Sequence, residues 1–415
     1  MRPRQSVQPR RRPQVQQQQL QLGRKHKPDY WLVIWCAALL SIGLIVVYAI
    51  SPALAVTNHV SSNYYVGKQL IAIALSIIVF IITAKVPLQI WRQVYKPLLI
   101  VAGLATLLAL AIHVNPAYPA HRWVRLGSFS FQSVELVKFA GLIWVAAFLA
   151  GRIHDGTIKS VNRTFQPFIF ALLAVGIVVA YKQSDLGSTG VLLAMMGTMA
   201  FVAGLPMGRI ALISGGIVVL TALAISTSSY RMARLETFLH PNSNCQGSGY
   251  QACQSLISVG SGGVIGLGLG NSVQAYGYEP EAANDSIFAI YAEKFGFIGT
   301  IILLVIFALF FTRLKNIAER LPDDFSRLLV VGILAWFATQ ALINIGGMIG
   351  LLPLKGITLP FISYGGTSVI FSAAAVGLVY QASQYTTYAS PRVTTSEGEY
   401  KPRDYRNNTV RRANV

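Results

Sequence analysis

Long apolar runs recur at near-regular spacing along this chain, each close to the roughly 20 residues a helix needs to cross a hydrocarbon core of about 30 Å. They fall at about 30–50, 67–84, 97–114, 134–151, 166–182, 186–205, 208–228, 286–312, 328–350 and 364–383. The pattern predicts an all-α polytopic integral membrane protein with about ten transmembrane helices. Lys182, Ser184 and Asp185 interrupt the apolar sequence between 166 and 205, so the count depends on reading a turn there. Composition agrees with lipid as the solvent. With 53% hydrophobic and 12% charged residues and a mean hydropathy of +0.53, a soluble chain of this length would lack the polar side chains to cover its surface.

Charge then orients the spans. With the N-terminus inside, cytoplasmic segments hold 25 of the 34 Lys and Arg, and only Lys68, Arg122, Arg125, Lys182, Arg231, Arg234 and Lys355 fall outside. The positive-inside rule therefore places both termini in the cytoplasm. The net charge of +19 is read as a topology signal, with no nucleic acid implied, and the basic tails can touch anionic membrane lipid. Residues 1–29 form a basic tail rich in Arg, Gln and Pro that cannot bury enough surface to order itself. It lacks the apolar core of a cleavable signal, so the span beginning near Tyr30 serves as the insertion signal. The expected organisation is this tail, a membrane domain over 30–385, and a second polar tail over 386–415.

Candidate chemistry gathers on the outer face. Two outer segments are long, about 115–133 and, between helices 7 and 8, about 229–285. The larger carries a moderately apolar stretch, Ala252 to Leu269, with Gly260, Gly262, Gly263, Gly266, Gly268 and Gly270 at its end. A re-entrant or interfacial element packed on protein is expected, because unpaired backbone cannot face lipid. A phosphate-binding loop is the weaker reading: no strand precedes these glycines and their spacing does not fit. Cys245 and Cys253 share this loop and are expected to form a disulfide, closing a short ring worth roughly 2–3 kcal/mol. Cys36 lies within the first span as packing.

Asp285 stands where a polar stretch meets an apolar helix. A carboxylate there is partly desolvated, which raises its pKa toward a value suited to proton abstraction, yet it could equally cap the helix. Glu135 and Lys138 share one helical face inside the fourth span, as a functional pair or a self-neutralising one. Arg122 and Arg125 flank Trp123 and suit phosphate oxygens or interfacial snorkelling. Asp185 sits in a tight outer turn. Lys355 lies within "LPLKGITLPFISYGGTS" at 352–368, whose prolines and glycines break regular helix and either line a cavity or turn the chain. No metal-ligand spacing is present.

Taken in order, these motifs resemble the SEDS family (shape, elongation, division and sporulation) from the first span to the last. The carrying residues are Arg122-Trp123, Gln132 through Lys138, Gln183 through Gly187, Gly247 through Gln251, Gly268 through Gln274, Pro280 through Asp285, and Leu352 through Ser368. Asn271 through Gln274 and Lys355 through Pro360 are most similar to the cell-division branch. The resemblance implies polymerisation of lipid II, the undecaprenyl-pyrophosphate-linked disaccharide pentapeptide, into β-1,4 glycan strands. It implies a catalytic base at Asp285 and essential polar positions at Arg122, Glu135, Lys138 and Asp185, with Arg125 and Lys355 as further substrate contacts. It also implies a class B penicillin-binding protein and other divisome proteins as partners at the septal membrane, and leaves room for a divalent cation on the pyrophosphate. Ser133, Ser184, Ala283-Asn284 and Lys294 depart from the family pattern. A lipid II flippase, an elongation-type polymerase and a recruiting scaffold remain as alternatives.

Overall fold

The computed structural model describes residues 25–111, 123–126, 129–227, 229–240, 245–247 and 249–386. Helices dominate: α1 (Tyr30–Thr57), α2 (Tyr64–Lys85), a short α3 (Leu88–Gln93), α4 (Tyr95–Ala111), α5 (Ser133–His154), α6 (Val161–Lys182), α7 (Leu186–Val202) and α8 (Met207–Ser226). After them come α9 (Ser229–Leu239), α10 (Tyr250–Ser261), α11 (Ile287–Arg320), α12 (Asp324–Met348) and α13 (Gly366–Ala382). Among the described residues seven helices are long and apolar enough to cross a membrane, and α4, α7 and α8 are apolar but shorter over that stretch. The chain is a multi-pass membrane protein.

The helices expose what a water-soluble protein hides. Ile71, Ile78, Leu104, Leu107, Leu220 and Phe297 stand on the outer surface, as an apolar solvent requires. Inside, Phe310, Phe337 and Phe361 meet with ring centroids 5.1–6.1 Å apart, beside the fully buried Trp336. α12 is the central post, packed against α5, α7, α10 and α11, while α13 lies along α2.

Two features depart from the sequence reading. First, the all-α expectation misses a hairpin of β1 (Trp123–Leu126) and β2 (Phe129–Gln132), antiparallel with Arg125 opposite Ser130. Alternation explains it: Val124 turns inward, and Phe131 sits edge-on to Phe371 of α13. Thr367 clamps the hairpin, its hydroxyl donating to Ser130 O at 3.1 Å and accepting from Gln132 N at 3.4 Å.

Second, the expected unbroken span at 286–312 breaks at Gly296, where φ is 65° and ψ is −163°, and the helix runs on to Arg320. The residues before the break are wholly buried, from Ile287 through Lys294. The glycine-rich segment after α10 lies against that break. Leu267 N donates to Glu293 O at 2.9 Å and Gly268 N to Lys294 O at 3.0 Å, and Phe297 N returns a bond to Gly263 O at 2.9 Å. A Cβ at Gly262, Gly266 or Gly296 would strike backbone atoms of Ala292, Lys294 or Gly266 respectively. These glycines allow backbone to touch backbone, which gives them a packing role in place of phosphate binding. Lys294 adds a bond to Leu269 O, and Glu293 receives the backbone N–H groups of Val273 and Gln274, so two charged side chains pin the loop to α11.

The expected element over Ala252–Leu269 is helical only in its first half, within α10, and Cys245 is bonded to Cys253 of α10. α9 forms a helix that the sequence reading left as loop. At the opposite end of the bundle the flanks of the packed unit meet: His26 N donates to Gln384 O at 2.9 Å and Asp29 N to Ser383 Oγ at 3.0 Å. The rest of both tails lies outside the described residues.

Candidate active site

Two carboxamides on α12 organise the polar interior. Gln340 and Asn344 are four residues apart and so share one helical face. Asn344 Nδ2 donates to both Asp285 O and Ile357 O at 2.7 Å, holding the start of α11 and the 352–365 segment to one post. Gln340 Nε2 donates to Thr358 O at 2.9 Å, and its Oε1 accepts from Trp336 Nε1 at 2.7 Å and Lys138 Nζ at 3.1 Å. Sequence reasoning missed both residues. The available signal was a pair of amides in an otherwise apolar span, where each must find a partner.

Asp285 does not cap α11. The N-cap is Ser286, without a side-chain bond, because the chain turns tightly just before it: Asn284 N and Ser286 N both reach back to Glu281 O, with Glu281 at φ 53°. Freed from capping, the carboxyl is left with Oδ1 buried and accepting no hydrogen bond. Burial pushes it up to about 7, the charge of Glu281 adds to this, and Arg234 of α9 and Gln251 of α10 oppose it. Arg234 is another residue the sequence reading passed over as a site. Its Nη1 donates to Leu354 O at 3.2 Å, which ties α9 to the 352–365 segment. Arg234, Thr237, Gln251, Leu256 and Leu352 line a cleft of about 60 Å³.

The other expected site residues form supports around this centre. Lys138 and Glu135 pair at 2.7 Å, exposed by only 1% and 3%, with the ammonium also 5.1 Å from the centre of the Trp336 ring. Their connection to Asp285 runs through Gln340, Asn344 and the 352–365 segment. Asp185 is buried and caps α7: Ser188 N donates to Oδ1 and Ser188 Oγ to Oδ2, both at 2.9 Å. Two residues after Asp185, Gly187 faces Ile357 and Lys355 so closely that a Cβ there would lie 3.3 Å from the Lys355 Cβ. Gln183 Nε2 donates to Ser133 Oγ at 2.8 Å, which joins this turn to the head of α5. Arg122 lies outside the described residues, and Arg125 is placed only by its register in β1. Among the described residues no group of three or more His, Cys, Asp or Glu gathers to hold a metal ion.

The fold and the site define a multi-pass membrane protein in which the segment before α11 carries an under-bonded carboxylate close to residues that line a cleft. Residues 30–388 match the FTSW_RODA_SPOVE family, described as cell cycle protein, and the chain belongs to that family, the SEDS proteins that its motifs resemble. A probable peptidoglycan glycosyltransferase FtsW of Saccharophagus degradans is 36% identical over 365 residues, covering 86% of this chain and 92% of that one. The stage V sporulation protein E of Bacillus subtilis is 35% identical over 368 residues, covering 88% and 99%. Among solved structures, the rod shape determining protein RodA of Thermus thermophilus matches with a TM-score of 0.63 and 25% identity, covering 88% of this chain and 98% of that one. A chain of a peptidoglycan synthase complex shares the fold, with a TM-score of 0.71, 24% identity and coverage of 86% and 97%.

Proposed function

We propose that this chain is a peptidoglycan glycosyltransferase that polymerises lipid II during septal wall synthesis, with Asp285 as its general base. The observation that carries the proposal is the Asp285 carboxyl, whose Oδ1 is left unbonded and which is pushed up to about 7 within the influence of Arg234 and Gln251, two residues that line a cleft. Asp285 takes the proton from the GlcNAc 4-hydroxyl of the acceptor, and that oxygen attacks the anomeric carbon of the donor MurNAc. The bond to the lipid pyrophosphate breaks with its electron pair, and the α-linked donor becomes a β-1,4 product in one inverting displacement. Arg234 is well placed to stabilise the developing charge, with Arg122 and Arg125 as further contacts. Glu135, Lys138, Asp185 and Lys355 act by fixing the helices and the segment that frame the cleft. A divalent cation would supply charge neutralisation to the leaving pyrophosphate, the same chemistry assigned here to the arginines.

In this reading all ten apolar helices cross the inner membrane, with both tails cytoplasmic and the Asp285 cleft on the extracytoplasmic side. The meeting of the two flanks supports an even number of crossings, and the lysine and arginine distribution supports the orientation. The partner is a class B penicillin-binding protein, the division transpeptidase, in company with other divisome proteins. The test is purified chain with lipid II in detergent, with and without that transpeptidase. Glycan polymer is expected in a system with no bilayer to cross. Lipid II left intact in both arms would reject the polymerase in favour of the transporter.

A further inference from the structure

Asn344 stands one turn before the end of α12 and is 1% exposed. Its Nδ2 donates to Asp285 O and to Ile357 O, both at 2.7 Å, so one amide divides its N–H bonds between two distant stretches of chain. Both partners are carbonyls, which only the nitrogen can face, and this fixes the orientation of the amide. Its Oδ1 therefore points elsewhere, buried and accepting no hydrogen bond. A buried acceptor left unpaired is costly, so a helix needing only to pack would carry an apolar side chain at this position.

The main chain at Asp285 relies on this bond. Ala289 N and Ile290 N both reach Ser286 O, at 3.0 and 3.4 Å, so the ladder of α11 begins one residue beyond Asp285. The Asp285 carbonyl thus lies outside the helix, and Asn344 supplies its N–H. Two residues earlier, Ala283 O accepts from Tyr364 N at 2.8 Å. The turn carrying the base is therefore hung at two points, on α12 and on the last part of the 352–365 segment. The first part of that segment belongs to the cleft: Leu352 and Leu354 line it with Gly347, which follows Asn344 by three residues on the same face of α12. A Cβ at Gly346 would meet Leu352 Cδ1 at 2.9 Å, so this part is pressed onto α12 as well. Asn344 joins the cleft wall to the base.

We propose that Asn344 is a positioning residue for Asp285: by gripping the Asp285 main chain and the 352–365 segment with one amide, it holds the carboxyl out of water and keeps base and cleft wall in register. This rests on Asp285 being the base. The groups that face the carboxyl are Glu279 and Glu281 from its own segment, Arg234 from α9 and Gln251 from α10. Freed from Asn344, the carboxyl gains water and loses the burial that raises it.

The test compares kcat and KM for lipid II from about pH 5 to about pH 9, using the full chain with its transpeptidase. Asn344→Ala is expected to lower kcat about 10–100-fold with KM within about twofold of the wild type, because a displaced base spoils the reacting geometry and leaves binding in place. Its acidic limb should also move down by about one pH unit. Asn344→Gln, with both N–H donors on a longer stem, should bring kcat and limb part of the way back. A role in helix packing alone would scale activity with the folded fraction and leave the limb where it is. An unmoved limb therefore overturns the proposal, as does a loss confined to KM. Should Asn344→Ala fail to fold, Asn344→Ser, whose hydroxyl reaches one carbonyl at a time, is judged by the same limb. Full activity of Asp285→Ala would instead reject the base itself, and a readout without turnover keeps the two failures apart. The infrared carboxyl band that disappears in Asp285→Asn should titrate about one pH unit lower in Asn344→Ala than in the wild type. A band that stays in place refutes the positioning role, whether or not the chain is active.

Discussion

Glu135 and Asp285 are both carboxylates removed from water, and they differ in what surrounds the charge. Glu135 faces an ammonium at 2.7 Å, and that ammonium is further held by Gln340 and Trp336, so the charges close on themselves inside the bundle. Each keeps one buried oxygen without a hydrogen bond, Glu135 Oε2 and Asp285 Oδ1; what differs is the counter-charge, which for Asp285 is only the opposing field of Arg234. The first arrangement makes a wall, because a compensated pair gains little by changing partners. The second stores reactivity, because an under-satisfied base gains by taking a proton.

Removing each acid should separate these roles. Asp285→Ala is expected to lower polymer formation by about 10²–10⁴-fold while the protein stays folded, as loss of a general base should; equal rates would erase the distinction. Lys138→Met should do the reverse, costing about 3–5 kcal/mol of stability by leaving Glu135 charged and alone. Adding Glu135→Leu to it should recover much of that loss, measured by thermal unfolding in detergent. If the single and double variants unfold together, the pair is not closed as described. Opening the Cys245–Cys253 bond with reductant should cost roughly 2–3 kcal/mol. Hydrogen exchange should locate the loss in α10, leaving α5 and α12 protected.

The smallest effect is one of pH. Asp285 is needed ionised, so activity should fall about tenfold per pH unit below about 7. Stability moves the other way. A carboxyl raised above its unfolded value stabilises the fold fully at pH below the ordinary carboxylate range, and that contribution fades as pH rises through about 7. Mild acid should therefore silence the outer site without loosening it.

Apolar runs made the helices legible, because a bilayer demands length and hydropathy from each one regardless of its neighbours. Glu135 and Lys138 were legible as charges inside a span, where polarity is costly, Asp285 as a carboxylate at the start of one, and Asp185 and Lys355 as residues of the turns between spans. What eluded the sequence was tertiary. Gln340 and Asn344 matter through partners far away in the chain, and the bend at Gly296 exists because a loop some thirty residues earlier supplies backbone groups to it. Arg234 was seen only as a loop charge, since nothing local reveals that α9 turns it toward Asp285. The β1–β2 hairpin escaped notice because four-residue strands carry too little alternation to stand out.

The joined flanks beside His26 and Ser383 make the packed unit a closed circuit. Whatever extends from one end begins beside whatever extends from the other, so a protein that grips the arginine-rich leader is held within reach of the trailing segment as well. A permuted chain, cut in an exposed connection and rejoined across this seam by a few residues, should therefore assemble the same bundle.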